Sequence, residues 1–599
     1  MLLKLSLTGI KGRLRDYIVL FSGLVMASAI FYMFESLATN EVFLQQNSMV
    51  SSVVFIFHLG TVLLSIITFV YILYANSFLM TMRQKDYGMF MMLGAKGRKI
   101  AQLIFVETFV VGVAATIVGI LIGLGLTTIV EKLLTKQLEI AITHFSAVNS
   151  KAIVITLIFF AIIFLLAAIV NAVMIVKKPV LSILKASETP APAKRKKVTL
   201  FLEAVFGIAL LAVGYVMMTL VMKLAFAALV IALITIVAGT YFVFHAVLIF
   251  ILNLLKQTDS LALKGLNNFT FSQLSFRIQD YTRILSLVAM LFALALGAIT
   301  VGLGFRNEIP KMTNQTTAYD LVLNDSQKIA ADKIEALKPT LNATYQQKET
   351  DTTIYYDKSE FDRTPLENKE FVDNRSTKTV RYSGEELAKD VTKQDALRQL
   401  ELPEQKTKEH QLVSPEAFAA VQGKASTLQV VKVKDFITEK KALQKLAAQN
   451  LKNNPALEQE VGFTQKSSVY EVFNSLFSGF EFMGFFLGIA FLTMLASCLM
   501  FKILSGAKSD VRRYTMLEKI GTRRQLLTAS IRKEIGILFL VPGLLGVIHV
   551  LFGLQMFTTL LSEPYSNIWV PFLIFFVLYF VYYLLTIWIY TGIVMKREA

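Results

Sequence analysis

Two stretches concentrate the side chains that could do chemistry. Arg83–Glu107 reads RQKDYGMFMMLGAKGRKIAQLIFVE, and Ser509–Glu534 reads SDVRRYTMLEKIGTRRQLLTASIRKE. Both fit Tyr-x6-Gly-x12-Glu, through Tyr87, Gly94 and Glu107 and through Tyr514, Gly521 and Glu534, with the copies 427 residues apart. Arg83, Asp86 and Lys96 charge the first copy, and Arg512 and Arg523 the second. Each glycine is placed to end a helix in the left-handed conformation that other residues resist. Glu107 and Glu534 stand where each stretch enters an apolar run. A carboxylate there is costly unless it is paired or interfacial, with the neighbouring Lys and Arg as partners. It also reads as a helix-start acid favoured by the dipole, and both readings can hold together. What such residues offer is docking rather than bond-making.

The motifs of bond-making enzymes are missing. There is no G-x4-GK[ST] to cradle a phosphate, so the chain does not read as its own ATPase. The five histidines are scattered, with no H-E-x-x-H or ligand spacing, and no Ser, His and Asp form a triad. We therefore expect no catalytic, cofactor or metal site. The single cysteine, Cys498, falls in an apolar run, which excludes a disulfide framework.

The elements that position the two stretches are membrane spans. Of 599 residues, 55% are hydrophobic and 17% charged, with mean hydropathy +0.57, a composition that needs lipid. The net charge of +17 resembles a nucleic-acid signature until it is placed along the chain. Residues 305–475 are nearly charge-balanced, so the excess belongs to short loops between spans. That is topology and attraction to anionic lipid, and no nucleic-acid partner is implied. Ten spans are predicted near 17–37, 52–75, 103–130, 151–176, 200–221, 225–253, 282–304, 476–505, 535–562 and 569–594. Lys/Arg clusters alternate with this map and put both termini inside, in the cytoplasm. The first sixteen residues read as an amphipathic interfacial helix. The first span lacks a small-residue cleavage site and reads as an uncleaved anchor.

The duplication extends beyond the two stretches. Arg13, Asp16 and Tyr17 precede the first span in the pattern R-x-x-D-Y, and Arg277, Asp280 and Tyr281 repeat it before the seventh, 264 residues on. We read these as a repeated interfacial motif. The difference between the two offsets nearly equals the length of the polar insert. The fold expected is an α-helical polytopic membrane protein of about ten transmembrane helices. It comprises a four-helix unit over 1–178, a two-helix bridge over 179–261, and a second unit. The second unit starts with an interfacial helix and span seven over 262–304, is interrupted by an α+β extracytoplasmic domain over 305–475, and is completed by spans eight to ten over 476–599. Parallel repeats imply a pseudo-two-fold axis along the membrane normal.

Within the insert, YDLVLN (319–324), TTIYYD (352–357) and LQVVKV (428–433) read as strands. Ser383 to Glu386 is a capping box opening the helix EELAKDVTKQDALRQL, and Ser414-Pro415 caps another. The acidic clusters at 357–362 and 367–371 read as solvated surface. In the spans, His58, His245 and His549 read as polar interhelical contacts. The phenylalanine-rich run 477–491 reads as bulk facing lipid or a partner, with a lipid-tail site as the sharper alternative.

The doubled four-span unit with its cytoplasmic coupling segment resembles the FtsX-like/MacB-type ABC permeases. Ten spans, a large outer domain between the seventh and eighth, and MRQKDYGMFMMLGAKGRKIAQLIFVET in the first segment resemble the BceB-type permeases of Gram-positive bacteria. The second copy departs from the first, with Arg513 in place of Asp86 and Lys519 in place of Met92. The resemblance implies a bacterial cell-membrane permease with residues ~305–475 outside. It would be served by a separate homodimeric ABC ATPase that binds ATP and Mg²⁺, leaving this chain without a cofactor. It further implies resistance to antimicrobial peptides such as bacitracin or lantibiotics, by releasing drug from undecaprenyl-linked precursors in the lipid, and signalling to a membrane histidine kinase. On that reading, closure of the ATPase pushes on 83–99 and 509–524. Two other readings stand beside it: a mechanotransmitting permease that regulates an extracellular cell-wall hydrolase, and a lipid or lipoprotein extruder.

Overall fold

Long runs of Leu, Ile, Val and Phe become helices in lipid because a helix satisfies every backbone polar group within its own segment. The computed structural model describes residues 14–40, 50–138, 146–176, 197–258, 260, 266–372, 376–459 and 465–595. Among them, ten helices are long and apolar enough to cross a membrane. They are α1 (Leu14–Ala38), α2 (Val50–Met92), α3 (Gly97–Leu138), α4 (Ser150–Val176) and α5 (Lys197–Thr219). The sixth span is α6 (Val221–Phe242), continued through a π-helical turn, Val243–Val247, into α7 (Leu248–Gln257). Then come α8 (Asn267–Thr316) and, after the α+β segment, α10 (Lys466–Lys519), α11 (Arg524–Gly553) and α12 (Trp569–Val594). The amphipathic segment expected at the N-terminus lies outside the described residues.

The chain divides into two units, Met1–Gly304 with Ser478–Ala599, and Phe305–Phe477. In the first, α3 lies close on α1, where Gly119 meets Val25 and Ser28. Helices α8 and α10 touch backbone to backbone at Gly302 and Gly484, and a Cβ on Gly484 would collide with the Ala298 carbonyl. Small residues at such crossings let packing replace the hydrophobic effect, which is absent between helices in lipid. Tyr71 Oη on α2 donates to Ser497 Oγ on α10 at 3.1 Å. The bridge hairpin α5–α6 turns at a single residue, Leu220.

The phenylalanine-rich run of α10 is largely covered by its own unit rather than laid out as an exposed face. Phe486 and Phe491 are buried, and no residue of 478–491 is exposed. An α-helix whose every face is apolar can be central, and composition alone does not say which faces are covered. The histidines do act between helices. His549 on α11 meets Tyr215 Oη of α5 at 2.8 Å and Thr240 Oγ1 of α6 at 3.0 Å. His245, in the π turn, lies 3.1 Å from Glu203.

The second unit is α+β. Its five-stranded sheet has the order β1-β7-β2-β3-β6, and β4 and β5 form a separate hairpin. The strands are β1 (Leu321–Asn324), β2 (Leu341–Glu349), β3 (Thr353–Asp357), β4 (Leu366–Phe371), β5 (Thr377–Tyr382), β6 (Glu409–Val413) and β7 (Lys424–Lys432). Among the described residues only β3 and β6 run parallel; every other pair is antiparallel. Successive side chains point to opposite faces. Val322, Leu428 and Val430 therefore join a core with Tyr345, Tyr356 and Leu397, while Leu321, Leu323 and Val431 meet Leu443 and Leu446 of α9 (Phe436–Asn453). Both faces are covered, which is why β1 is buried throughout.

The capping box at Ser383 and Glu386 is formed, and Ser414 caps the helix that begins at Pro415. The single helix expected after Ser383 is two, Gly384–Lys389 and Val391–Arg398. Asp390 divides them, extended in backbone and accepting from the Thr392 amide. Aspartate competes for nearby N–H groups and favours a cap over a helix interior.

Candidate coupling site

Helix α2 runs past its apolar part to Met92, and α10 runs on to Lys519; each then reverses in four residues into the next helix. Both reversals use one construction. Gly94 has φ +91° and Gly521 φ +94°. Gly94 N–H donates to Met91 O at 3.0 Å and Ala95 N–H to Phe90 O at 2.9 Å; Gly521 N–H donates to Glu518 O at 3.0 Å and Thr522 N–H to Leu517 O at 3.1 Å. This is the Schellman pattern, which satisfies carbonyls a helix end would otherwise strand. No atom lies within 4 Å of where either glycine's Cβ would be, so backbone conformation and not space requires glycine.

Beneath each turn the tyrosine reaches the glutamate. Tyr87 Oη donates to Glu107 Oε2 at 3.4 Å and Tyr514 Oη to Glu534 Oε2 at 3.2 Å, all four residues being buried. The floor is aliphatic: Ile100 and Ile104 in the first copy, Leu527 and Ile531 at the matching places in the second. The tips are exposed and partly apolar. Met89 and Leu93 match Met516 and Ile520, and Leu93 and Ile520 are 84% and 75% exposed. Lys96, Arg512 and Arg523 are exposed, and Asp86 is half-buried. Arg83 lies in α2, but its side chain is outside the described residues.

The second copy carries a buried charge cluster. Arg277 Nη2 on α8 donates to Asp510 Oδ2 of α10 at 2.5 Å and to Tyr590 Oη of α12 at 2.7 Å. Its Nε pairs with the Glu534 carboxylate of α11. Tyr590 Oη donates to Asp510 Oδ2 at 2.8 Å, and Arg513 Nη1 approaches Asp510 Oδ1 at 3.4 Å. Four helices thus meet at one guanidinium, whose planar fork suits several carboxylate partners. The partner of Glu534 is therefore not a neighbouring cation but Arg277, from the other repeated motif. Tyr281, from that motif, is buried with the Lys502 ammonium 4.4 Å above its ring. Arg13 lies outside the described residues, as do the side chains of Asp16, Tyr17 and Asp280.

Sequence reasoning missed Asp510, Tyr590 and the exposed apolar pairs. Asp510 had a signal: it matches Arg83 in the other copy, a charge reversal inside a repeat. Tyr590 had none, being one tyrosine among many in an apolar helix.

Residues 58–180 match the family model described as the FtsX-like permease C-terminal domain, a stretch that contains the whole first turn. The chain is 23% identical to the uncharacterized ABC transporter permease YvcS of Bacillus subtilis over 98% of each chain. It is 25% identical to the ABC transporter permease protein YxdM of the same organism over 84% of each. It is also 25% identical to the bacitracin export permease protein BceB of Bacillus subtilis, over 53% of this chain and 50% of that one. The chain thus carries an FtsX-like permease domain and is similar to ABC transporter permeases, BceB among them.

Proposed function

We propose that this permease is the membrane subunit of a transporter that protects a bacterium from cell-wall-targeting peptide antibiotics, driven by a separate homodimeric ATPase. The observation that carries the reading is the pair of turns: a symmetric dimer offers the same surface twice, and Leu93 and Ile520, each followed three residues on by an exposed cation, Lys96 or Arg523, offer two matching knobs. ATP and Mg²⁺ belong to the partner. The permease's share is to receive motion at 83–99 and 509–524 and tilt α2 with α3 and α10 with α11. We place both termini in the cytoplasm and residues 305–475 outside the cell, where the α+β domain would meet the peptide and free undecaprenyl-linked precursors from it. Supporting this, a relative is named a bacitracin export permease. A membrane histidine kinase reading the same motion completes the proposal.

The test joins a deletion strain to a charge reversal. Loss of the permease should sensitise cells to bacitracin or a lantibiotic, and the wild-type gene should restore resistance. Arg83→Glu with Arg523→Glu should insert normally yet recover less ATPase on co-purification and fail to restore resistance. Unaltered co-purification would defeat the docking assignment, and unaltered susceptibility of the deletion strain would defeat the resistance assignment.

A further inference from the structure

A cleft of about 410 Å³ opens between the start of α8, the first part of α11 and α12. Its walls include Asn267, Phe271, Arg532, Lys533, Gly536 and Tyr583. Three features mark it as more than a basic surface.

The first is charge. Arg532 and Lys533 are exposed, and among the described residues neither lies within salt-bridge distance of a carboxylate. The adjacent acid, Glu534, is buried against Arg277 on another face of α11, so it does not neutralise them. Lys533 Nζ donates to Asn267 Oδ1 at 3.0 Å, and Tyr583 Oη donates to the Arg532 carbonyl at 3.3 Å; both bonds hold the walls in place.

The second is depth. Arg532 and Lys533 are the last cations of α11, and no Asp, Glu, Lys or Arg follows between Ile535 and Ser562. Cations at such a boundary lay their stems on apolar surface and their charge in the headgroup layer.

The third is the other repeat. The positions matching Arg532, Lys533 and Gly536 are Phe105, Val106 and Phe109. There the two phenylalanine rings stack at 6.3 Å, so the first copy has neither the charges nor the room.

We propose that this cleft binds the phosphodiester headgroup of an anionic phospholipid, one molecule per chain, on the second repeat alone. Arg532 and Lys533 face the phosphate, and Gly536 leaves space for the glycerol backbone beside Phe271 and Tyr583. Anionic lipid at this place would bear on the helix that leads out of the second turn.

The experiment uses the full-length permease in nanodiscs of phosphatidylcholine containing a minority of phosphatidylglycerol, with native mass spectrometry to count lipid retained after transfer to detergent. The wild-type chain should keep one phosphatidylglycerol in preference to phosphatidylcholine. Arg532→Gln with Lys533→Gln should lower that retention about thirtyfold, and Gly536→Phe, which fills the cleft but keeps both charges, should also lower it. Arg512→Gln with Arg523→Gln removes equal charge elsewhere and should retain the lipid. Matching unfolding temperatures show that the variants are folded. Undiminished retention in Gly536→Phe would reduce the effect to surface attraction and overturn the site, as would equal retention of phosphatidylcholine. Protection of the lipid-free wild-type chain by inorganic phosphate, as strong as that by phosphatidylglycerol, would reassign the cleft to a free anion and also overturn it.

Discussion

Arg277 and Asp510, separated by 233 residues in sequence, are joined through Nη2 and Oδ2 at 2.5 Å with both side chains 5% exposed. Breaking a buried pair by removing one partner strands the other charge, at about 3–5 kcal/mol. Arg277→Ala should therefore destabilise the permease severely, as read by unfolding temperature in detergent. Tyr590→Phe, which removes only a hydroxyl from the same cluster, should cost less, about 1.5–3 kcal/mol for bonds to charged groups. Equal effects from the two would mean the guanidinium is not the hub.

Gly94 and Gly521 test the turns without touching any neighbour. A Cβ meets nothing within 4 Å at either place, so Gly94→Ala and Gly521→Ala should cost only the left-handed backbone penalty, about 1–2 kcal/mol. Asparagine, which tolerates that conformation, should cost less than alanine at both positions. A neutral alanine at either site would show that the turn rearranges.

Leu93 and Ile520 are too exposed to support the fold. Leu93→Ser and Ile520→Ser should each change unfolding by no more than about 0.5 kcal/mol. Under the proposed docking role each should weaken ATPase co-purification, and the double variant should abolish it. Retained co-purification in the double variant would place the motor elsewhere.

The α+β domain should weaken in acid. Burial opposes ionisation of Glu349, but the Lys408 ammonium at 2.8 Å and the Gln405 amide at 3.1 Å outweigh it and hold the carboxyl below its ordinary value. Glu367 is held low in the same way by Lys432 and Arg381 against burial. A carboxyl depressed on folding contributes stability that is complete above its unfolded pKa, about 4.3 for Glu, and is lost as pH falls through the folded value. Hydrogen-exchange protection of β2 and β7 in the intact permease should therefore decline below about pH 4. Lys408→Gln should flatten part of that decline; an unchanged profile would remove Glu349 from the account.

The sequence alone determined the local features. A run of some 20 apolar residues becomes a spanning helix whatever lies beside it, so the ten spans were legible, as were the glycines that end α2 and α10. The capping box at Ser383 was legible for the same reason, since both partners lie within four residues. Only the tertiary structure decided what is covered and what is paired. Phe486 and Phe491 look like any lipid-facing residues until the packed helices leave them 7% and 3% exposed. Glu534 has cations one and two positions away, yet its partner is Arg277, because successive helix residues point to different faces and the fold brings α8 to the face where Glu534 points. Burial then favours the nearest guanidinium in space over the nearest in sequence, since an unpaired charge at that depth is too costly to persist.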